Sequence, residues 1–186
     1  MSDILFINAC VRENSRTLKL ANHVLGTLEG EITEVRLYDL GLTPLDEEGL
    51  KARDAAFDAK DFSDSRFDLA KQFAEAKTVV IAAPYWDLMF PAVLKTYLEA
   101  ITVNGLVFSY SEKGIPTGMC KAERLIYVTT SGGPIFKNFG YDYVSALAGA
   151  FYGINDVKCI SAEGLDIRGA DVDAIMRKAK ENVAGI

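Results

Sequence analysis

Short runs of apolar, strand-favouring residues recur at 4–8 (ILFIN), 32–37 (ITEVRL), 78–83 (TVVIAA), 124–129 (RLIYVT) and 156–161 (DVKCIS). Between them the apolar positions take the three-to-four-residue spacing of amphipathic helices, over 16–28, 64–76, 91–102, 140–151 and 170–183. The run at 78–83 is apolar at successive positions, so both faces of that strand need cover, as at the centre of a parallel sheet. Five strands alternating with five helices predict an α/β protein: a doubly wound, five-stranded parallel sheet of order 2-1-3-4-5 with helices on both faces. Residues 41–63 interrupt this rhythm. They are polar and weakly periodic, and longer than the usual connection of about two to six residues. A lid, an interface element or a short extra helix is expected there.

Composition narrows the function classes more than the fold. A chain of 186 residues suits one domain, 1–186, since a core of this size buries roughly 70% of the unfolded surface. Apolar residues are 49% and charged residues 25%, which is ordinary for a globular protein. A net charge of −6 argues against nucleic acid and against an anionic membrane surface as partners. No stretch approaches the ~20 apolar residues of a membrane span, and the first residues lack the pattern of a secretory signal. Cys10, Cys120 and Cys159 are widely spaced and accompanied by one histidine, His23, so neither a disulfide framework nor a metal site is expected. The reading is a cytoplasmic protein with His23 on its surface and a solvated acidic face at 46–64.

In a doubly wound sheet, ligands sit beyond the carboxyl ends of the strands where the strand order reverses. Three loops fall there. The first, 9–17 (ACVRENSRT), offers Arg12, Ser15, Arg16 and Thr17 at a helix start, where outward-pointing amides, the helix dipole and guanidinium groups suit a phosphate. The same residues also fit a plain helix cap with solvated arginines. The second, 83–88 (APYWDL), places Tyr85 and the sole tryptophan, Trp86, after a buried strand, able to line a flat ring or simply to pack. Pro84 and Pro91 shape that loop and the helix start after it. The third, 130–134 (TSGGP), has two glycines that permit close backbone approach. No G-x-G-x-x-G follows any strand, so a separate dinucleotide-binding domain is not indicated.

Taken together, order and spacing resemble a known family. APYWDLMFPAVLKTYLEAIT, GLVFSYSEKG and VTTSGG, within 82–133, are similar to the flavin loop with its helix, a small hairpin, and the second flavin loop of the FMN-dependent NADH azoreductases and NAD(P)H quinone reductases. These are DT-diaphorase relatives in the flavodoxin-like superfamily, and the likeness runs nearly end to end. It implies FMN as cofactor, NADH or NADPH as transient hydride donor, and a quinone, azo or nitro-aromatic acceptor taking its turn over the same ring. It further implies that Ser15, Arg16 and Thr17, with Cys10 and Arg12 nearby, hold the phosphate. Pro84, Tyr85, Trp86, Asp87 and Leu88 would hold the ring and ribityl side, and Thr130, Ser131, Gly132 and Gly133 the opposite edge. The family implies a homodimer with its site at the subunit interface, to which 41–66 could contribute, and no side chain is assigned as catalytic. Three departures stand out: Ala9 and Cys10 replace hydroxyl residues, the phosphate loop is about one residue shorter, and Trp86, Asp87 and Leu88 replace Tyr-Asn-Phe.

Two rival readings use other chemistry. Cys10, Arg16 and Thr17 match the C-x5-R-[ST] pattern of low-molecular-weight phosphatases and arsenate reductases, in which a thiolate is the nucleophile. Against it, the loop lacks glycine and the chain lacks an Asp-Pro dipeptide. A flavodoxin-type electron carrier would suit the acidic surface, but its phosphate loop is richer in threonine and glycine than ACVRENSRT.

Overall fold

The computed structural model describes residues 3–185. Five parallel strands form one sheet: β1 (Ile4–Asn8), β2 (Ile32–Arg36), β3 (Thr78–Ala82), β6 (Arg124–Thr130) and β7 (Asp156–Ala162), in the order β2-β1-β3-β6-β7. This is the expected 2-1-3-4-5 winding. The two remaining strands, β4 (Phe108–Tyr110) and β5 (Pro116–Gly118), make the small antiparallel hairpin that the family resemblance implied.

Alternation within the strands divides the core in two. Leu5, Ile7, Val79, Ile81, Leu125 and Tyr127 face α3 (Asp68–Glu75), α4 (Ala92–Ile101) and α5 (Phe139–Leu147). Ile4, Phe6, Val80, Ala82, Ile126 and Val128 face α1 (Arg16–Leu25) and α6 (Val172–Glu181). Each fully buried Val, Leu, Ile or Phe among them contributes roughly 1.5–3 kcal/mol.

Helix ends depart from the expected boundaries for local reasons. α1 stops at Leu25, because Thr27 and Leu28 donate to the carbonyls of Val24 and Leu25 and tighten the last turn. α6 starts at Val172, because Asp171 caps it by accepting from the amide of Ala174 at 2.9 Å. Leu165 and Ile167 lie in the loop between β7 and α6. α5 continues as a π-turn over Ala148–Tyr152, against which Gly118 of β5 packs. A methyl group on Gly118 would stand 2.1 Å from the Gly153 nitrogen, so the hairpin docks only because no side chain is there.

The polar segment 41–63 contains an extra helix, α2 (Glu47–Ala59), with no buried residue. Its ends carry the order: Asp46 accepts from the Gly49 amide at 2.8 Å, and Lys60 closes it in the left-handed conformation. Arg53 ties it to the body by donating to the carbonyls of Glu99 (2.6 Å) and Ala100 (2.9 Å) at the end of α4.

Candidate functional site

Pairing continues past the strands and brings three loops side by side. Ala9 donates to Ala82, Ala83 to Val128, Tyr85 to Thr130 and Ser131 to Ala162, each through backbone at 2.9–3.0 Å. Since neighbours β1 and β3 lead in opposite directions through the sheet, their loops part and leave a cleft. The cleft holds about 460 Å³, within the ~300–1,000 Å³ usual for small-molecule sites.

Ten of the residues singled out from the sequence line this cleft: Arg12, Ser15, Arg16 and Thr17 from the first loop, Pro84, Tyr85 and Trp86 from the second, and Thr130, Ser131 and Gly132 from the third. Ser15 caps α1, its hydroxyl accepting from the Leu18 amide at 3.3 Å. The next two amides, of Arg16 and Thr17, belong to the first turn, where no intrahelical acceptor exists. No acidic residue occupies that turn. The Thr17 and Thr130 hydroxyls lie 2.7 Å apart and buried, joining the first loop to the third. Tyr85 donates its hydroxyl to the Lys137 carbonyl at 2.8 Å, fixing the second loop against the chain that follows the third.

Four others do not line the cleft. Gly133 lies just beyond, its carbonyl accepting from the Ser131 hydroxyl at 2.5 Å. Asp87 and Leu88 form the tip of a two-residue turn closed by paired bonds between Trp86 and Met89 at 2.9 and 2.8 Å. Both have left-handed backbone, φ 50° and 69°. Cys10 is absent from the lining. It is buried, its sulfur 3.8 Å from the Ala82 carbonyl oxygen, and its amide donates to the Asn8 side chain at 2.9 Å. Burial pushes its thiol above the ordinary range, outweighing the Ser15 contact that acts in the opposite direction. The phosphatase reading is thereby corrected, because it needs an accessible thiolate beside Arg16.

The cleft also contains residues that pattern reasoning missed: Val11, Asn14, Leu165 and Asp166. Asp166 comes from the loop after β7 and holds Arg16, carboxylate oxygen to guanidinium nitrogen at 2.7 Å, while the same nitrogen donates to the Leu165 carbonyl at 3.2 Å. The backbone of that loop is laced to the third by Leu165 to Ser131 (3.1 Å) and Asp166 to Gly132 (2.9 Å). A methyl on Gly132 would stand 2.5 Å from the Asp166 carboxylate, so a side chain there would push the carboxylate aside. The one available signal was the position of an acid just after the fifth parallel strand.

A sheet wound in this order, with a cleft at its reversal point built from helix-start amides, two arginines and an aromatic loop, defines a protein of the flavodoxin-like class. The model of the flavodoxin-like fold family matches residues 2–185, and the chain belongs to that family. It is 36% identical over 199 residues to FMN-dependent NADH:quinone oxidoreductase 2 of Clostridium acetobutylicum, an alignment covering 97% of this chain and 98% of that protein. The corresponding FMN-dependent NADH:quinone oxidoreductase of Lachnoclostridium phytofermentans is 34% identical, over 97% of this chain and 96% of its own. These relatives are of the quinone reductase group that the sequence resembles. Among solved structures, an azoreductase from Bacillus anthracis superposes with a TM-score of 0.85 at 24% identity, covering 100% and 98% of the two chains. An FMN-dependent NADH-azoreductase of Bacillus anthracis, solved with FMN, gives 0.80 at 22% identity over 98% and 96%. The last two likenesses speak to the fold.

Proposed function

We propose that the chain is an FMN-dependent NADH:quinone oxidoreductase, working as a single FMN-binding unit over 1–186. The observation that carries this reading is near end-to-end likeness to enzymes of that name, in a chain whose cleft at the strand-order reversal has the donors FMN requires. The fit is chemical. The first-turn amides of Arg16 and Thr17, with Arg12 at the mouth, suit a phosphate. Tyr85 and Trp86 suit a flat ring, and the Thr130–Gly132 backbone suits its polar edge. Bound there, FMN would supply the redox chemistry, a two-electron exchange between NADH or NADPH as hydride donor and a quinone, azo or nitro-aromatic acceptor that takes up two electrons and two protons. The chain's own part is to hold, orient and shield, and no side chain is assigned as acid or base.

The same reading includes a cytoplasmic homodimer with its clefts at the subunit interface. It is supported by α2, which has no fully buried residue in the single chain and leaves Leu50 51% exposed. No helix among the described residues is long and apolar enough to cross a membrane.

The test is direct. Purified protein, reconstituted with FMN where necessary, is expected to show flavin absorption that NADH bleaches anaerobically and a benzoquinone restores, at about one NADH per flavin. Protein that takes up no flavin and oxidises no NADH overturns the proposal. Sedimentation velocity at micromolar concentration checks the dimer.

A further inference from the structure

Asp166 is an anion inside a cleft otherwise equipped for one. Its carboxylate, 70% exposed, sits 2.7 Å from the Arg16 guanidinium, which is itself 41% exposed in the same cleft. One terminal nitrogen of Arg16 is fully engaged, by this oxygen and by the Leu165 carbonyl. The other terminal nitrogen and Nε have no protein partner among the described residues. Two features hold Asp166 in place independently of its charge: its amide donates to the Gly132 carbonyl, and the neighbouring Leu165 amide donates to the Ser131 carbonyl.

We propose that Asp166 sets the strength and selectivity with which this cleft holds a phosphorylated ligand, acting as a built-in competitor for Arg16. The inference rests on the reading of this loop as the FMN phosphate site. A phosphate arriving at Arg16 has two options. It takes the free Nε edge beside the carboxylate, or it displaces the carboxylate from the guanidinium. Either way the carboxylate opposes it, by repulsion in the first case and by the lost ion pair in the second. Arg12, exposed and unpaired by any acid among the described residues, is then the uncompensated cation of the loop. The consequence is a flavin held more loosely and more exchangeably than two arginines alone would hold it, with a narrowed preference for FMN over riboflavin.

The experiment compares wild type, Asp166→Asn and Asp166→Ala, all stripped of flavin, by fluorescence titration with FMN and with riboflavin at low salt. Both substitutions are expected to tighten FMN by roughly five- to tenfold, shrinking as salt is added, and to leave riboflavin unchanged. In Arg16→Ala the further Asp166→Asn change is expected to give less of this gain, because only repulsion remains to be relieved. FMN affinity that is unchanged or weakened in both variants overturns the proposal; weakening would make Asp166 a support that aims Arg16 at the phosphate. Inorganic phosphate, titrated by its effect on the melting temperature, reads the cleft without the ring. There the variants should respond at lower phosphate concentration than wild type, and an equal response refutes the inference. A wild type that binds no flavin counts against the cofactor, whereas the phosphate titration still decides the role of Asp166.

Discussion

At the scale of single residues, the cleft is built on buried polar pairs that can be broken one side at a time. Thr17 and Thr130, 1% and 8% exposed, satisfy each other at 2.7 Å. Replacing either by valine leaves a hydroxyl buried without its partner, a cost of about 1–3 kcal/mol. Thr17→Val and Thr130→Val are each expected to lower stability by that amount in urea titrations of the flavin-free protein. The double variant should lose less than the sum, since two valines leave nothing unsatisfied. Full additivity would show that the hydroxyls do not interact. The thiols make the opposite case of chemistry withheld. Burial raises Cys10 and pushes Cys120 and Cys159 up to about 12. With so little thiolate at pH 8, native protein should resist iodoacetamide for hours, whereas all three cysteines should react once the chain is unfolded in urea. Rapid labelling of Cys10 in the native state, read by peptide mass, would contradict its burial.

Among elements, the turn after β3 carries unusual backbone. Asp tolerates the left-handed region, but Leu88 at φ 69° does so against a cost of about 1–2 kcal/mol, while its side chain is 52% exposed and recovers little by burial. Leu88→Gly should therefore raise stability by a net ~0.5–1 kcal/mol after the entropic penalty of glycine, measured by denaturant midpoint. A loss would mean that the Leu88 side chain packs on something that matters more. No periodicity announces such a turn. What periodicity does announce are the five strands and the helices with a buried stripe, because burial on one or two faces writes itself into apolar spacing. α2 was legible only as an irregular polar stretch, since no residue in it is fully buried and its caps, Arg53 and the partly buried Ala56 hold it. The hairpin strands, three residues each, are too short to show a period and were reached through family resemblance. The loops of the cleft follow strands and could be located. Asp166 could not, because its meeting with Arg16 spans 150 residues of sequence and depends on β6 and β7 being neighbours. Nor could the burial of Cys10, two residues past the end of β1, because no period extends into a loop.

Across the whole molecule, the two ends of the sheet do different work, and acid should separate them. The carboxyl ends hold the cleft. At the amino ends, Asp3 joins three strands: its carbonyl accepts from the Lys77 (3.2 Å) and Thr78 (3.0 Å) amides, and its carboxylate accepts from the Lys77 ammonium (2.7 Å) and the Glu31 amide (3.3 Å). The hydrogen bond from Lys77, then the one from the Glu31 amide, then the charge of Lys77, hold the Asp3 carboxyl below its ordinary value. Asp61 and Asp64 are held down in the same way, first by the Ser63 side chain and by Arg66 respectively. A carboxyl lowered by folding stabilises the native state fully above its unfolded value near 3.9, and that contribution disappears as pH falls through the lower folded value. The melting temperature should accordingly be level from pH 8 to about 5.5 and fall below about 4. Asp3→Asn should melt below wild type at pH 7, with the gap closing as pH falls through the lowered folded value of Asp3 and its carboxylate is protonated. Its flavin affinity at pH 7 should not change, because the strand between Asp3 and the cleft is five residues long, roughly 16 Å at ~3.3 Å per residue, well beyond a Debye length in ordinary buffer. A gap that stays undiminished as the pH is lowered into the acid transition would assign the effect to lost shape instead of lost charge, and a change in flavin affinity would show that the two ends of the sheet are coupled.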